Sequence, residues 1–251
     1  MPAAVIIGDV SQNHVPQTAE PRTAEPRTAE PRTAEPRTEA RRTEVIGSDA
    51  SRSAEPDRRV HAVHTARTIT VYQAFSPVIA LPAAERGRFG PGFRRGRMTW
   101  IKPSFLWMMH RSSWATAPGQ EHVLAVELDR DGFHAALEQA AASSYTPRLH
   151  ASRDQWRREL RRSAVRFQWD PERDLHLRAL PWRSLQLGLS GEAVDRYVDE
   201  WTVGITDVTA QAHRIRDLLR THEHDAAAAL LPPEHPYPLP AALAARIDAA
   251  S

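Results

Sequence analysis

The feature that most limits what this chain can fold into is a repeat. Thr-Ala-Glu-Pro-Arg occurs four times without interruption from Thr18 to Arg37. A proline every fifth residue removes a backbone donor and clashes with the preceding turn, so a stable helix cannot propagate through it. Residues 1–66 contain no aromatic side chain and offer no apolar face to bury. Their charges nearly cancel, nine arginines against ten acids, which does not fit a basic nucleic-acid arm. The stretch lacks the apolar core of a secretory signal and is too acidic for a mitochondrial presequence. The expectation is a disordered leader over 1–66 and one folded domain over 67–251.

That domain is long enough to enclose a full core. The chain has no cysteine, which excludes disulfides, thiol catalysis and cysteine-ligated zinc. No window has the uninterrupted apolar length of a membrane span. The expected setting is cytoplasmic, with no membrane partner. Residues 67–251 carry 24 basic against 21 acidic side chains, too small an excess to imply nucleic-acid binding by itself. The charge is uneven, however. Seven basic residues and no acid lie between Arg86 and Arg111, and seven more lie between Arg148 and Arg166 against Asp154 and Glu159. Such runs are ordinarily solvated faces.

Patterning gives the elements. Thr68–Phe75 is β-branched and aromatic and reads as a strand, followed by a helix from Pro77 to about Arg86 with Ser76 as its cap. Gly87 to Gly96 is a glycine-rich basic loop without phosphate-loop spacing. His122–Leu128 is a strand, and Asp131 is expected to cap a helix from Gly132 to about Ala142. Ser152–Ser163 reads as a helix and Val165–Trp169 as a strand that ends in a polar turn, Asp170–Asp174. Ser184–Leu189 is a further strand. Helices are expected over 191–201 and 207–219, and Pro232–Pro240 reads as an extended tail. Without regular βαβ spacing the fold class is α+β with a mainly antiparallel sheet and flanking helices.

Arg97–Trp114 concentrates the informative residues. It holds three of seven tryptophans, three of four methionines, and Lys102, the single lysine beside 32 arginines. A retained ammonium suggests a role that a planar guanidinium does not fill. Pro103 ends the strand pattern, and Ser104 is a suitable N-cap for an apolar helix from Phe105 to about Trp114. A strand feeding a helix N-terminus offers an anion site. Lys102, Arg97, Ser104 and Arg111 are therefore candidate ligands for a phosphate or carboxylate; the bland alternative is a structural corner whose lysine reaches out to water. Trp107 reads as core.

Asp170 and Glu172, with Lys102, are the candidate catalytic groups. They follow a strand and are flanked by Arg166 and Arg173, so they can orient a hydroxyl or steady a developing cation; the competing reading is a salt-bridged turn. Tyr72 and Gln73 near the end of the first strand, together with Arg166, complete the candidate substrate contacts. The histidines show no metal-ligand spacing; His222 and His224 read as a solvated turn, and no metal is expected.

Ile69–Ala74, Arg97–Met109, Val165–Asp174, Arg183–Leu189 and Tyr237–Pro240 together resemble the family known as domain of unknown function 4291. The order of elements is also similar to the ADP-ribosyltransferase fold, which implies a split sheet clamping NAD as cofactor. That family has an Arg or His where this chain has Gln73, and Glu172 is the nearest match to its catalytic glutamate. Two functions follow as expectations. One is a transferase acting on a nucleotide-like anionic substrate, with NAD as the implied cofactor. The alternative is a non-catalytic module that binds nucleic acid through residues 86–111. A third reading is an interaction protein whose polar motifs are structural.

Overall fold

The computed structural model describes residues 57–250. The repeats of the expected leader lie outside the described residues, but its last part, 57–66, belongs to the fold. There β1 (His61–Ala62) pairs antiparallel with the tail at His235–Pro236, and Val60 and Ala62 are buried. Asp57 O accepts from Arg183 N, and Arg58 forms an ion pair with Asp248. Residues 57–66, which the sequence pattern places in the leader, thus pair and pack with the domain. Sequence reading missed this because a two-residue strand leaves no periodic signal.

Beyond β1 run β2 (Thr68–Phe75), α1 (Pro77–Arg86), β3 (Thr99–Ile101), α2 (Phe105–Ser112) and β4 (His122–Asp129). Then follow α3 (Arg130–Glu138), β5 (Ala140–Ala142), α4 (Arg153–Arg162), β6 (Val165–Arg173) and β7 (Ala179–Leu189). The chain ends with α5 (Glu192–Arg196), a π-helical turn at Tyr197–Trp201, β8 (Thr202–Asp207), α6 (Thr209–Arg220), α7 (His224–Ala229), β9 (His235–Pro236) and α8 (Ala241–Arg246).

The fold is α+β and its main sheet is split in two. One part has strand order β2-β4-β8, and the other β3-β7-β6-β5. Pairing between the named strands is antiparallel except for β5 with β6. The two parts meet at one backbone rung, where Tyr72 N donates to Lys102 O at 2.7 Å and Lys102 N to Tyr72 O at 3.4 Å. Period-two alternation sends the two faces of β2 into different cores. Ile69 and Val71 pack with Leu124, Val126 and Leu128 in the larger one, whereas Tyr72 packs with Phe105, Met109 and Val123 in a second.

Three expected elements differ. The helix expected over 132–142 is shorter and begins earlier, because Asp129 and not Asp131 is its cap, accepting from Asp131 N and Gly132 N. Its alanine-rich end, Ala140–Ala142, is captured as a strand by parallel pairing with Val165–Phe167, a tertiary effect that overrides helix propensity. The expected polar turn at Asp170–Asp174 is instead largely strand. β6 continues to Arg173 through a bulge near Pro171, and β5 does not extend that far, so the missing proline N–H leaves no neighbour unpaired. Likewise the helix expected over 191–201 breaks into α5 and the π turn. Trp201 lies so close to α3 that a Cβ on Gly132 would sit 2.4 Å from its ring.

Candidate functional site

The site is built where β3 gives way to α2. Ser104 caps that helix, accepting from Trp107 N at 3.1 Å, and its hydroxyl donates to Glu172 Oε1 at 2.7 Å. Lys102 is fully buried. Its Nζ donates to Asp170 Oδ2 at 2.9 Å and lies 3.7 Å from the centroid of the Trp107 ring. Burial lowers the ammonium to about 8, against the opposing pull of Asp170 and Glu172. Glu172 is buried as well and also accepts from Arg173 N at 2.8 Å.

A second carboxylate reaches the same helix end from the tail. Glu234 Oε1 accepts from Phe105 N at 2.7 Å. Burial pushes its carboxyl up to about 8; the Phe105 hydrogen bond opposes this and the charge of Glu172 adds to it. Tyr72, edge-on to Phe105 at 5.4 Å, has its phenol raised by burial and then by Glu234. The buried Lys102, Ser104, Glu172 and Tyr72 therefore form one polar cluster with the half-buried Asp170 and Glu234.

Beside this cluster opens a cleft of about 720 Å³. Arg94, Arg97 and Arg111 line it, and so do Trp100 and Trp107. No acidic side chain is among its lining residues. The three arginines are exposed, and none has a hydrogen-bond or ion-pair partner among the described residues. Their neighbour Arg95 behaves differently: its guanidinium is held at 2.7 Å by Asp199 Oδ1 and at 3.2 Å by Asp195 Oδ1, which anchors the glycine-rich segment to α5 and the π turn. Phe93, from the same segment, packs against Phe75 and Tyr197. Among the described residues the cleft thus carries unneutralised positive charge and two indoles.

The expected site residues fall into two groups. Arg97, Arg111 and Gln73 line the cleft, while Lys102, Ser104, Asp170 and Glu172 form the cluster behind it, with Tyr72 alongside. Trp107 belongs to both. It is half-buried, packed against the second core on one side and lining the cleft on the other, where the sequence pattern puts it wholly in the core; Trp114 is the buried member of the series. Gln73 is occupied structurally. Its Nε2 donates to Thr99 Oγ1 at 2.7 Å and Trp100 O at 2.9 Å, and its Oε1 accepts from Tyr197 Oη at 2.7 Å. Arg166 lines neither group, and its buried Nε lacks a partner. Sequence reasoning passed over Arg94 and Glu234: one lies in a loop without periodicity and the other in a proline-rich tail. Among the described residues no group of three or more His, Asp or Glu is placed to hold a metal, and no helix is long and apolar enough to cross a membrane.

No curated protein matches the chain. The model of one protein family, Domain of unknown function (DUF4291), matches residues 59–237, which takes in both the cleft and the cluster behind it. With well over half of its length matched, the chain belongs to the DUF4291 family.

Proposed function

We propose that the cleft binds a nucleotide-like phosphorylated ligand and that the protein is a transferase acting on it. The observation that carries the reading is the trio Arg94, Arg97 and Arg111, exposed and, among the described residues, without partners in a cleft with no acidic lining. Guanidinium groups match phosphate oxygens bidentately, and three of them oppose the charge of a di- or triphosphate. The cavity falls within the span of small-molecule sites, about 300–1,000 Å³. Trp100 and Trp107 supply flat apolar faces for a base. The transferase part rests on Lys102 and Asp170: Lys102 Nζ lies against the Trp107 ring that lines the cleft and donates to Asp170. NAD is one nucleotide that fits this description. Glu172, held by Ser104 Oγ and Arg173 N, is not free to act on its ribose as the cluster stands.

Calorimetric titration with ADP and NAD tests the reading. Arg97→Ala and Arg111→Ala are each expected to weaken binding by at least about tenfold, roughly 1.4 kcal/mol, with melting temperature nearly unchanged because both side chains are exposed. Equal binding by wild type and both variants sinks it. A chain that binds nucleotide yet never consumes it keeps the binding reading and loses the transferase one.

A further inference from the structure

We propose that the ligand of the cleft is one end of a single-stranded nucleic acid, and that its following nucleotides lie on the polar face of the β3-β7-β6-β5 sheet. The proposal rests on the phosphate-binding reading of the cleft and extends it.

The sheet has two unlike faces. Ile101, Leu187, Leu189, Val165 and Phe167 point into the core and are buried. Alternation places Trp100, Gln186, Gly188, Arg166 and Gln168 on the other face. Register arranges them in two rows. Trp100 is opposite Gly188, which is opposite Arg166; next to them Gln186 is opposite Gln168. A Cβ on Gly188 would sit 2.9 Å from the Trp100 ring, so the indole lies across β7 instead of standing off the sheet. Gln186 and Trp100 are shared with the cleft, and Gln168 is exposed. The cleft therefore continues onto an open strip of indole, carboxamide and guanidinium.

The chemistry of the strip selects the partner. Indoles stack on any base, and carboxamides hydrogen-bond base edges. Arg166 is half-buried on this face, and its guanidinium adds positive charge beyond the cleft although its Nε is itself enclosed. Adjacent strands are about 4.8 Å apart, so β3 to β6, two spacings, covers roughly 10 Å and leaves room for a second nucleotide beside one stacked on Trp100. A duplex hides its bases, whereas a single strand presents them. An acidic peptide would pair with the arginines and leave the indoles and amides without partners. Asp170, the acid on this face, is already tied to Lys102 and to Gln168 Nε2, so a base edge at Gln168 meets chiefly its carboxamide oxygen, which accepts a long 3.4 Å bond from Ser143 Oγ.

The test compares ADP with hexaadenylate on the full chain by calorimetry, across a salt series. Hexaadenylate is expected to bind at least about tenfold more tightly and to lose affinity more steeply with salt. Arg166→Ala and Gln168→Ala should each weaken hexaadenylate binding about threefold or more, and Gln168→Ala should leave ADP binding unchanged. Hexaadenylate no tighter than ADP, or tighter but indifferent to both variants, overturns the proposal while the cleft reading stands. Equal binding of hexaglutamate overturns it as well, since the surface would then accept any polyanion. Failure of ADP to bind, with Arg97→Ala without effect on either ligand, removes the cleft reading itself.

Discussion

At the scale of a residue, Lys102 has exchanged its water for one carboxylate and one indole face. Burial lowers its ammonium to about 8, and Asp170 keeps it from falling further. The folded state therefore releases this proton before the unfolded state does, and the contribution of Lys102 to stability rises as pH increases from about 8 toward 10.5. Because the side chain is only 1% exposed, Lys102→Arg tests packing as much as binding. The broader guanidinium should cost about 1–3 kcal/mol of stability by overpacking. Lys102→Met fits the space but leaves Asp170 with Gln168 and no cation, and should cost as much or more. Urea denaturation of both variants checks this. A Lys102→Arg chain as stable as wild type would show that the space beneath Trp107 has room to spare. The sequence made Lys102 conspicuous by its rarity, but its burial was not readable there. The carboxylate that satisfies it lies 68 residues away and meets it only through the tertiary fold.

At the scale of an element, α2 carries the connection between cluster and cleft. Its first turn is held by Ser104 and Glu234, and its later turns supply Trp107, Met108 and Arg111 to the cleft wall. Glu234, raised from 4.5 to about 8, binds a proton in the folded chain that the unfolded chain has lost. Stability from this group is present below about 4.5 and declines as pH rises through about 8. Glu234→Gln preserves an acceptor for Phe105 N and removes the titration, so its melting temperature should fall less between pH 5 and 8 than that of wild type. Parallel slopes would mean that Glu234 is ionised in both states. The start of α2 was legible from Pro103 and Ser104, since a strand breaker followed by a cap is a local signal. Its second cap was not, because Glu234 arrives from a tail with no pattern to fix its position. Ala140–Ala142 failed for the converse reason: the local signal was strong, and pairing with β6 overrode it.

At the scale of the whole molecule, the two ends of the described chain close on one another. Val60 is buried, Arg58 is paired with Asp248, Arg58 O accepts from Ala250 N, and β1 pairs with β9. A chain beginning at His61 should be about 1.5–3 kcal/mol less stable than one beginning at Asp57, from the lost valine burial together with these contacts. That corresponds to a fall of several degrees in melting temperature. Identical melting would show that residues 57–60 merely rest on the surface. The α+β class and most strands were legible from alternation, whereas the division of the sheet into two was not read from pattern, because it depends on one rung between Tyr72 and Lys102. The burial of Lys102 has a further use at this scale. The chain contains a single ε-amino group, and α2 and β6 enclose it. A primary-amine reagent should therefore stop at the N-terminal α-amine of the native protein. A second tag should arrive only as often as α2 lifts away from β6, so the molecule carries its own one-site clock for opening.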